Sequence, residues 1–305
     1  MRISSLSFYN TSLTGLQDQQ SNIARLTQQL ATDKKYIATK DAPIETGRAL
    51  QLADVIAQRT QHQNNQVKAD IALKEEATVL SQLNTMVSTT RSLVMSSTPS
   101  QDASTRRQVS SQLSTLYKQI KSLANYQDTT GNYIFAGSQT DTKPYAQNAQ
   151  FEGAVGSQTT TYSGDAGTRQ VEIDTGRYVQ TNDNLDTVMK SGSANDLLQR
   201  IDQIATAIQN GTASQTDLND ATAVMTSALD SLQTMVADIA GRVSAVAEAK
   251  NTSKSLQLSE VDALGQIAGL DQAAAIVELQ MRQVSLQAAE SAFGLTSKQS
   301  LFNYL

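Results

Sequence analysis

From Leu218 to Val246 the sequence steps by four and three without a fault, through Leu218, Thr222, Met225, Leu229, Leu232, Val236, Ile239, Val243 and Val246. A run of four heptads has one local solution, a long α-helix with a single apolar seam, because only a period near 3.5 keeps these side chains on one side. Such a helix draws most of its stability from a partner along the seam. Ser214 and Asp217, three apart and just ahead of Leu218, read as the capping box that starts it.

The same rhythm recurs along the chain. Leu6, Tyr9, Leu13, Leu16, Ile23 and Leu30 form a first seam, and Pro43, after Asp41 as a cap, opens a second long helix that "SSTPS" ends. In that helix Leu73, Ala77, Leu80, Val87 and Val94 keep heptad spacing beside a stripe at Val79, Leu83, Met86 and Leu93. A third helix over about 102–127 carries Val109, Leu113, Leu116, Ile120 and Leu123, with Gly131 closing it. Ser193 with Asp196 reads as another capping box, ahead of Leu197, Ile201, Ile204 and Ile208, and "NG" at 210–211 stops that helix. Gly265 and Gly269 mark a joint before the last helix.

Residues 131–192 differ. Gly, Thr, Tyr and Asp dominate there, and "TTTYSG" and "RQVEID" alternate as strands do. The expected fold is mainly α with a β-rich insert: a long antiparallel helical rod, the chain folded back so that its N- and C-terminal helices pair. Three parts follow, a terminal coiled-coil domain of 1–41 plus 268–305, a helical rod of 42–130 plus 193–267, and the outer insert. A composition of 39% hydrophobic and 5% aromatic residues with no Trp suits thin bundles better than a thick α/β core.

The last helix is apolar twice over. Val277, Met281, Val284, Ala288, Leu295, Phe302 and Leu305 line one face, and Leu279, Leu286 and Phe293, spaced by sevens, line another. One partner helix cannot cover both, and each large side chain left in water forgoes roughly 1.5–3 kcal/mol of burial. The leftover face is expected to meet other subunits.

Chemistry is sparse. His62 is the only histidine, sits among the amides of "QHQNN", and is expected to be a solvated helical residue; without Cys it completes neither a zinc site nor a nucleophile pair. The amides over 57–66 fit either a solvated face or a polar contact to another chain. "GAVG" and "GDAGTR" match no phosphate-binding loop, and "NDNLD" lacks the glycine and closing glutamate of a calcium loop. No catalytic, metal or cofactor residue is assigned, and no enzyme activity is expected. A net charge of -5 with scattered Lys and Arg argues against nucleic acid or an anionic membrane as partner. With no long apolar run and no leader-like start, the chain is expected to be soluble and to bypass the general secretory route.

Residues 129–145, "TTGNYIFAGSQTDTKPY", crowd three aromatics into an aromatic-poor chain. Tyr133, Ile134, Phe135, Gly137, Thr140, Pro144 and Tyr145 resemble the G-x-Y-I-F-x-G-x-x-T-x-x-x-P-[FY] signature of the hook-filament junction branch of the bacterial flagellin superfamily. "ATDKKYIATKDAPIETGRALQLADVIAQRTQHQNNQ", with Asp41 and Pro43, and the end "LQAAESAFGLTSKQSLFNYL" resemble the superfamily's shared terminal regions, and "TYSGDAG" its Y-x-G-D segment. The resemblance implies a structural adaptor of the flagellum, with a filament subunit as the alternative. It further implies type III export to the cell exterior and, as partners, flagellin, the other hook-associated junction protein, further copies of itself in a ring, and an export chaperone on the C-terminal helix. The implied assembly residues are Leu6, Leu13, Leu16, Ile23, Leu30, Val277, Leu279, Met281, Val284, Leu286, Phe293, Leu295, Phe302 and Leu305. The aromatic stretch could serve equally as a small core or as a contact surface.

Overall fold

The computed structural model describes residues 2–145, 162–190 and 196–302. The helices among them are α1 (Arg2–Thr32), α2 (Pro43–Met95), α3 (Ala103–Ala124), α4 (Asp186–Lys190), α5 (Leu197–Asn210), α6 (Gln215–Ala268) and α7 (Gln272–Phe302). One antiparallel hairpin, β1 (Gln170–Asp174) with β2 (Arg177–Gln180), lies between α3 and α4. The fold is mainly α with a small β component, which among the described residues amounts to this hairpin and a few isolated bridges.

Helix ends follow local chemistry, with three departures from expectation. Pro43 does open α2, but Asp41 turns backward: its carboxylate accepts the Ala38 N–H at 3.2 Å, and the Ala42 carbonyl receives the first helical bond from Thr46. Asp196 is itself the cap of α5, accepting the Leu198 N–H at 2.9 Å, where a pairing with Ser193 was expected; Ser193 lies outside the described residues. α3 stops at Ala124, short of Gly131, which instead shapes the next turn at φ 86°. The box at α6 forms as read: the Ser214 N–H donates to the Asp217 carboxylate at 3.0 Å, and the Asp217 N–H to Ser214 Oγ at 3.1 Å. Gly211 ends α5 in the left-handed region.

The chain divides into two compact units, residues 60–254 and residues 1–59 with 255–305. The first holds the hydrophobic core. Its α2 seam is longer than the apolar pattern suggested: His62, Gln66, Ala69, Leu73, Glu76, Leu80, Leu83, Val87, Thr90 and Val94 step by four and three and are all buried. α6 meets the core at every seventh residue, Leu218, Met225, Leu232, Ile239, Val246 and Ser253. α3 and α5 pack together through Val109, Leu113, Tyr117 and Ile120 against Leu198, Ile201, Ile204 and Ile208.

In the second unit α1 and α7 run antiparallel, with the Tyr9 and Phe293 rings 5.1 Å apart toward one end and Gln272 donating to Asp33 at 2.9 Å at the other. A bridge between Lys34 and Gly269 closes that end. α6 runs through Gly265, so Gly269 alone makes the joint; a Cβ there would lie 2.3 Å from the Gly265 carbonyl oxygen. Within the same unit the Arg59 guanidinium forks onto both oxygens of Glu260, 2.7 Å each. Among the described residues no helix is long and apolar enough to cross a membrane.

Candidate assembly surface

The second unit has almost no interior. Leu26 and Ala275 are its only buried apolar side chains among the described residues. Leu16, Ile23 and Leu30 on α1, and Leu279, Leu286 and Phe293 on α7, are half-buried where the two helices meet. The other face of α7 stays open: Val277, Met281, Val284 and Leu295 are 55–67% exposed. Leu13 also stands outside the α1–α7 contact. The side chains of Leu6 and Phe302 and all of Leu305 lie outside the described residues.

Exposure extends to the other helices of this unit. Of the eighteen large apolar side chains that stand exposed among the described residues, thirteen belong to it: two on α1, three on α2, three on α6 and five on α7. A domain that keeps its leucines and valines outside and its interior nearly empty has the composition of a docking surface.

The aromatic stretch does the opposite. Ile134, Phe135, Pro144 and Tyr145 are buried, and Tyr133 is half-buried with its N–H on the Thr140 carbonyl at 2.8 Å. The Tyr145 ring packs on Tyr162 at 5.6 Å, and the Tyr145 backbone N–H donates to Asn125 Oδ1 while the Tyr145 carbonyl accepts from Asn125 Nδ2. Tyr162 Oη donates to the Phe135 carbonyl at 2.9 Å. Gly137, at φ 75°, sits so close to Asp165 that a Cβ would lie 2.0 Å from its carboxylate and 2.3 Å from its carbonyl oxygen. That carboxylate accepts from the backbone and hydroxyl of Ser138 and from the Gly167 N–H, and these bonds, Ser138 foremost, hold it below the usual carboxylate range. The stretch is therefore a small core that fixes the loops 125–145 and 162–169 to each other.

At α2 one further expectation fails and another holds only in part. His62 is buried, 6% exposed, with both ring nitrogens unbonded among the described residues. The amides around it divide: Gln58, Gln61 and Asn64 are exposed, whereas Asn65 donates to the Glu172 carbonyl at 2.9 Å and Gln66 to the Ile173 carbonyl at 2.6 Å, seating β1 on the helix. Glu76 accepts the Asp183 N–H at 2.7 Å, while Arg242 of α6 donates to the Asp183 carboxylate at 2.6 Å and to the Gln180 carbonyl at 3.3 Å. Apolar periodicity alone does not reveal these polar groups. Their heptad positions were the available signal.

Residues 3–140 match the bacterial flagellin N-terminal helical region. The chain is 27% identical to the flagellar hook-associated protein 3 of Escherichia coli K12 over 335 aligned positions, spanning 99% of both chains. It is 31% identical over 150 positions to the flagellar hook-associated protein 3 of Salmonella typhimurium, covering 48% of this chain and 47% of the other. The crystal structure of a flagellar hook-associated protein 3 from Legionella pneumophila superposes with a TM-score of 0.64 at 16% identity, over 71% of this chain and 98% of that one.

Proposed function

We infer that this chain, of the hook-associated protein 3 family within the flagellin superfamily, is a structural component of the bacterial flagellum that joins the hook-associated zone to the filament. The observation that carries its mechanism is the second unit, with thirteen exposed large apolar side chains and two buried ones among its described residues. If the four open α7 residues each lose about 100 Å² of apolar surface on assembly, burial contributes on the order of 10 kcal/mol before the entropy of association is subtracted. That is ample for a lattice contact and of no use to a monomer.

The working division of labour is threefold. Segments 1–41 and 268–305 supply the terminal helices that assemble, 42–130 with 193–267 supply the rod, and 131–192 faces outward. The chain associates with hook and filament components. Its specific contacts are flagellin on one side, the other hook-associated junction protein on the other, and neighbouring copies of itself in a ring. An export chaperone shields the open face of α7 until assembly, and the protein reaches the cell exterior by the flagellar type III route. Neither nucleic acid nor membrane is a partner, and packing rather than catalysis is its work. Similarity that runs along the whole length of a hook-associated protein 3 favours this over a filament subunit.

Deletion of the gene in its host, followed by electron microscopy of cells and gel analysis of the medium, tests the proposal. Intact hooks without filaments, with flagellin released unpolymerised, are expected. Bare hooks with no flagellin in the medium would identify the chain as the filament subunit, and normal filaments would reject both readings.

A further inference from the structure

An acid in the α2 seam and a base beside the α6 seam come to the same place. Glu76, 2% exposed on α2, and Arg242, half-buried on α6, meet at the turn that leaves β2. Glu76 accepts the Asp183 N–H through one carboxyl oxygen, and its other oxygen is buried without a partner among the described residues. Arg242 is committed elsewhere, to the Asp183 carboxylate and the Gln180 carbonyl. Arg169, on the approach to β1, is the remaining charged neighbour; its Nε is buried without a partner among the described residues. On α2 itself Glu75 is turned toward Tyr126, whose hydroxyl donates to it at 3.1 Å, and Lys74 pairs with Asp70.

We propose that Glu76 is a proton-operated latch, which carries its proton while the segment 169–184 is seated on α2 and α6 and gives it up when that segment opens. A carboxylate at this site would be dry and would lie beside the Asp183 carboxylate, a cost that the engaged Arg242 and the neighbouring Arg169 offset only in part. Burial first, and Asp183 second, push the Glu76 carboxyl up to about 8 from an ordinary value of 4.5. The sign follows from which state holds the proton. Between pH 4.5 and about 8 the seated state keeps a proton that the opened state loses, so seating is tightest at the acid end, weakens as pH rises through this window, and changes no further above it. The latch makes the attachment of the hairpin responsive to the pH around the protein.

Hydrogen exchange on the full-length chain reads this directly. Corrected for intrinsic rates, protection of the Thr181 and Asp183 amides is expected to fall by up to about tenfold per pH unit between pH 5 and 8, the limit for one coupled proton. In Glu76→Gln, which retains an acceptor for the Asp183 N–H, protection should be flat over the same range. A flat wild type, or the same slope in wild type and variant, overturns the latch. Should the variant fail to fold, the carbon-13 titration of the Glu76 carboxyl in the wild-type chain decides instead: a midpoint near 8 supports the latch, and one near 4.5 overturns it.

Discussion

Gly137 and Gly131 offer a matched pair of substitutions that separates backbone strain from close packing in the aromatic stretch. Both sit at positive φ, 75° and 86°. An alanine at either position therefore carries the left-handed cost of about 1–2 kcal/mol. A Cβ on Gly131 meets nothing within 4 Å, so the cost should end there. A Cβ on Gly137 would lie 2.3 Å from the Asp165 carbonyl oxygen, which is backbone and cannot rotate aside. Parting the two segments adds an overpacking cost of about 1–3 kcal/mol, for a total of about 2–5 kcal/mol. Urea unfolding followed by far-ultraviolet circular dichroism should rank Gly137→Ala below Gly131→Ala by at least 1 kcal/mol. Equal losses would show that 131–145 and 162–169 are not held face to face, and would refute the reading of this stretch as a small core.

Three further outcomes are expected. Val277→Ser with Val284→Ser should leave the unfolding midpoint of the isolated chain unchanged, because both side chains are exposed, whereas Leu26→Ala should cost about 2–4 kcal/mol in the contact of α1 with α7, read by hydrogen exchange of those helices. Ser214→Ala, by removing the α6 capping box, should cost about 1 kcal/mol in thermal or urea unfolding. Burial raises the Asp196 carboxyl to about 6 from 3.8, so in a Glu76→Gln background, which removes the overlapping Glu76 slope, stability should fall as pH rises across that interval; adding Asp196→Asn should remove this slope, and its persistence would assign it elsewhere.

Much of this fold was legible in the sequence because heptads constrain more than composition does. The run from Leu218 to Val246, Pro43 at the head of α2 and the glycine after Asn210 each gave an element that the structure contains. The polar members of the α2 seam were not legible in the same way. His62, Gln66, Glu76 and Thr90 occupy core positions, but a scale that scores side chains by hydropathy reads them as solvent-facing. Gln66 and Glu76 are buried where the helix must satisfy backbone groups of the loop and hairpin packed on it, a long-range demand that no local pattern announces. Asp41 misled for a related reason: a carboxylate one residue ahead of the true cap finds a donor in the preceding turn. At the assembly surface the two apolar faces of α7 were plain from spacing, yet Leu13 against Leu16 was not. Which of two neighbouring leucines turns to a partner depends on the crossing of the helices, and only the structure supplies that.

The claim on which the account rests is that the open face of α7 serves assembly and not the fold of the monomer. Met281→Asp with Val284→Asp, introduced into a host lacking the gene, tests it most directly when filament attachment is scored by electron microscopy and the purified variant is melted alongside the wild-type chain. The account predicts an exported, fully folded variant with an unchanged melt that leaves hooks bare of filaments. A variant that melts early, or one that attaches filaments normally, would contradict it.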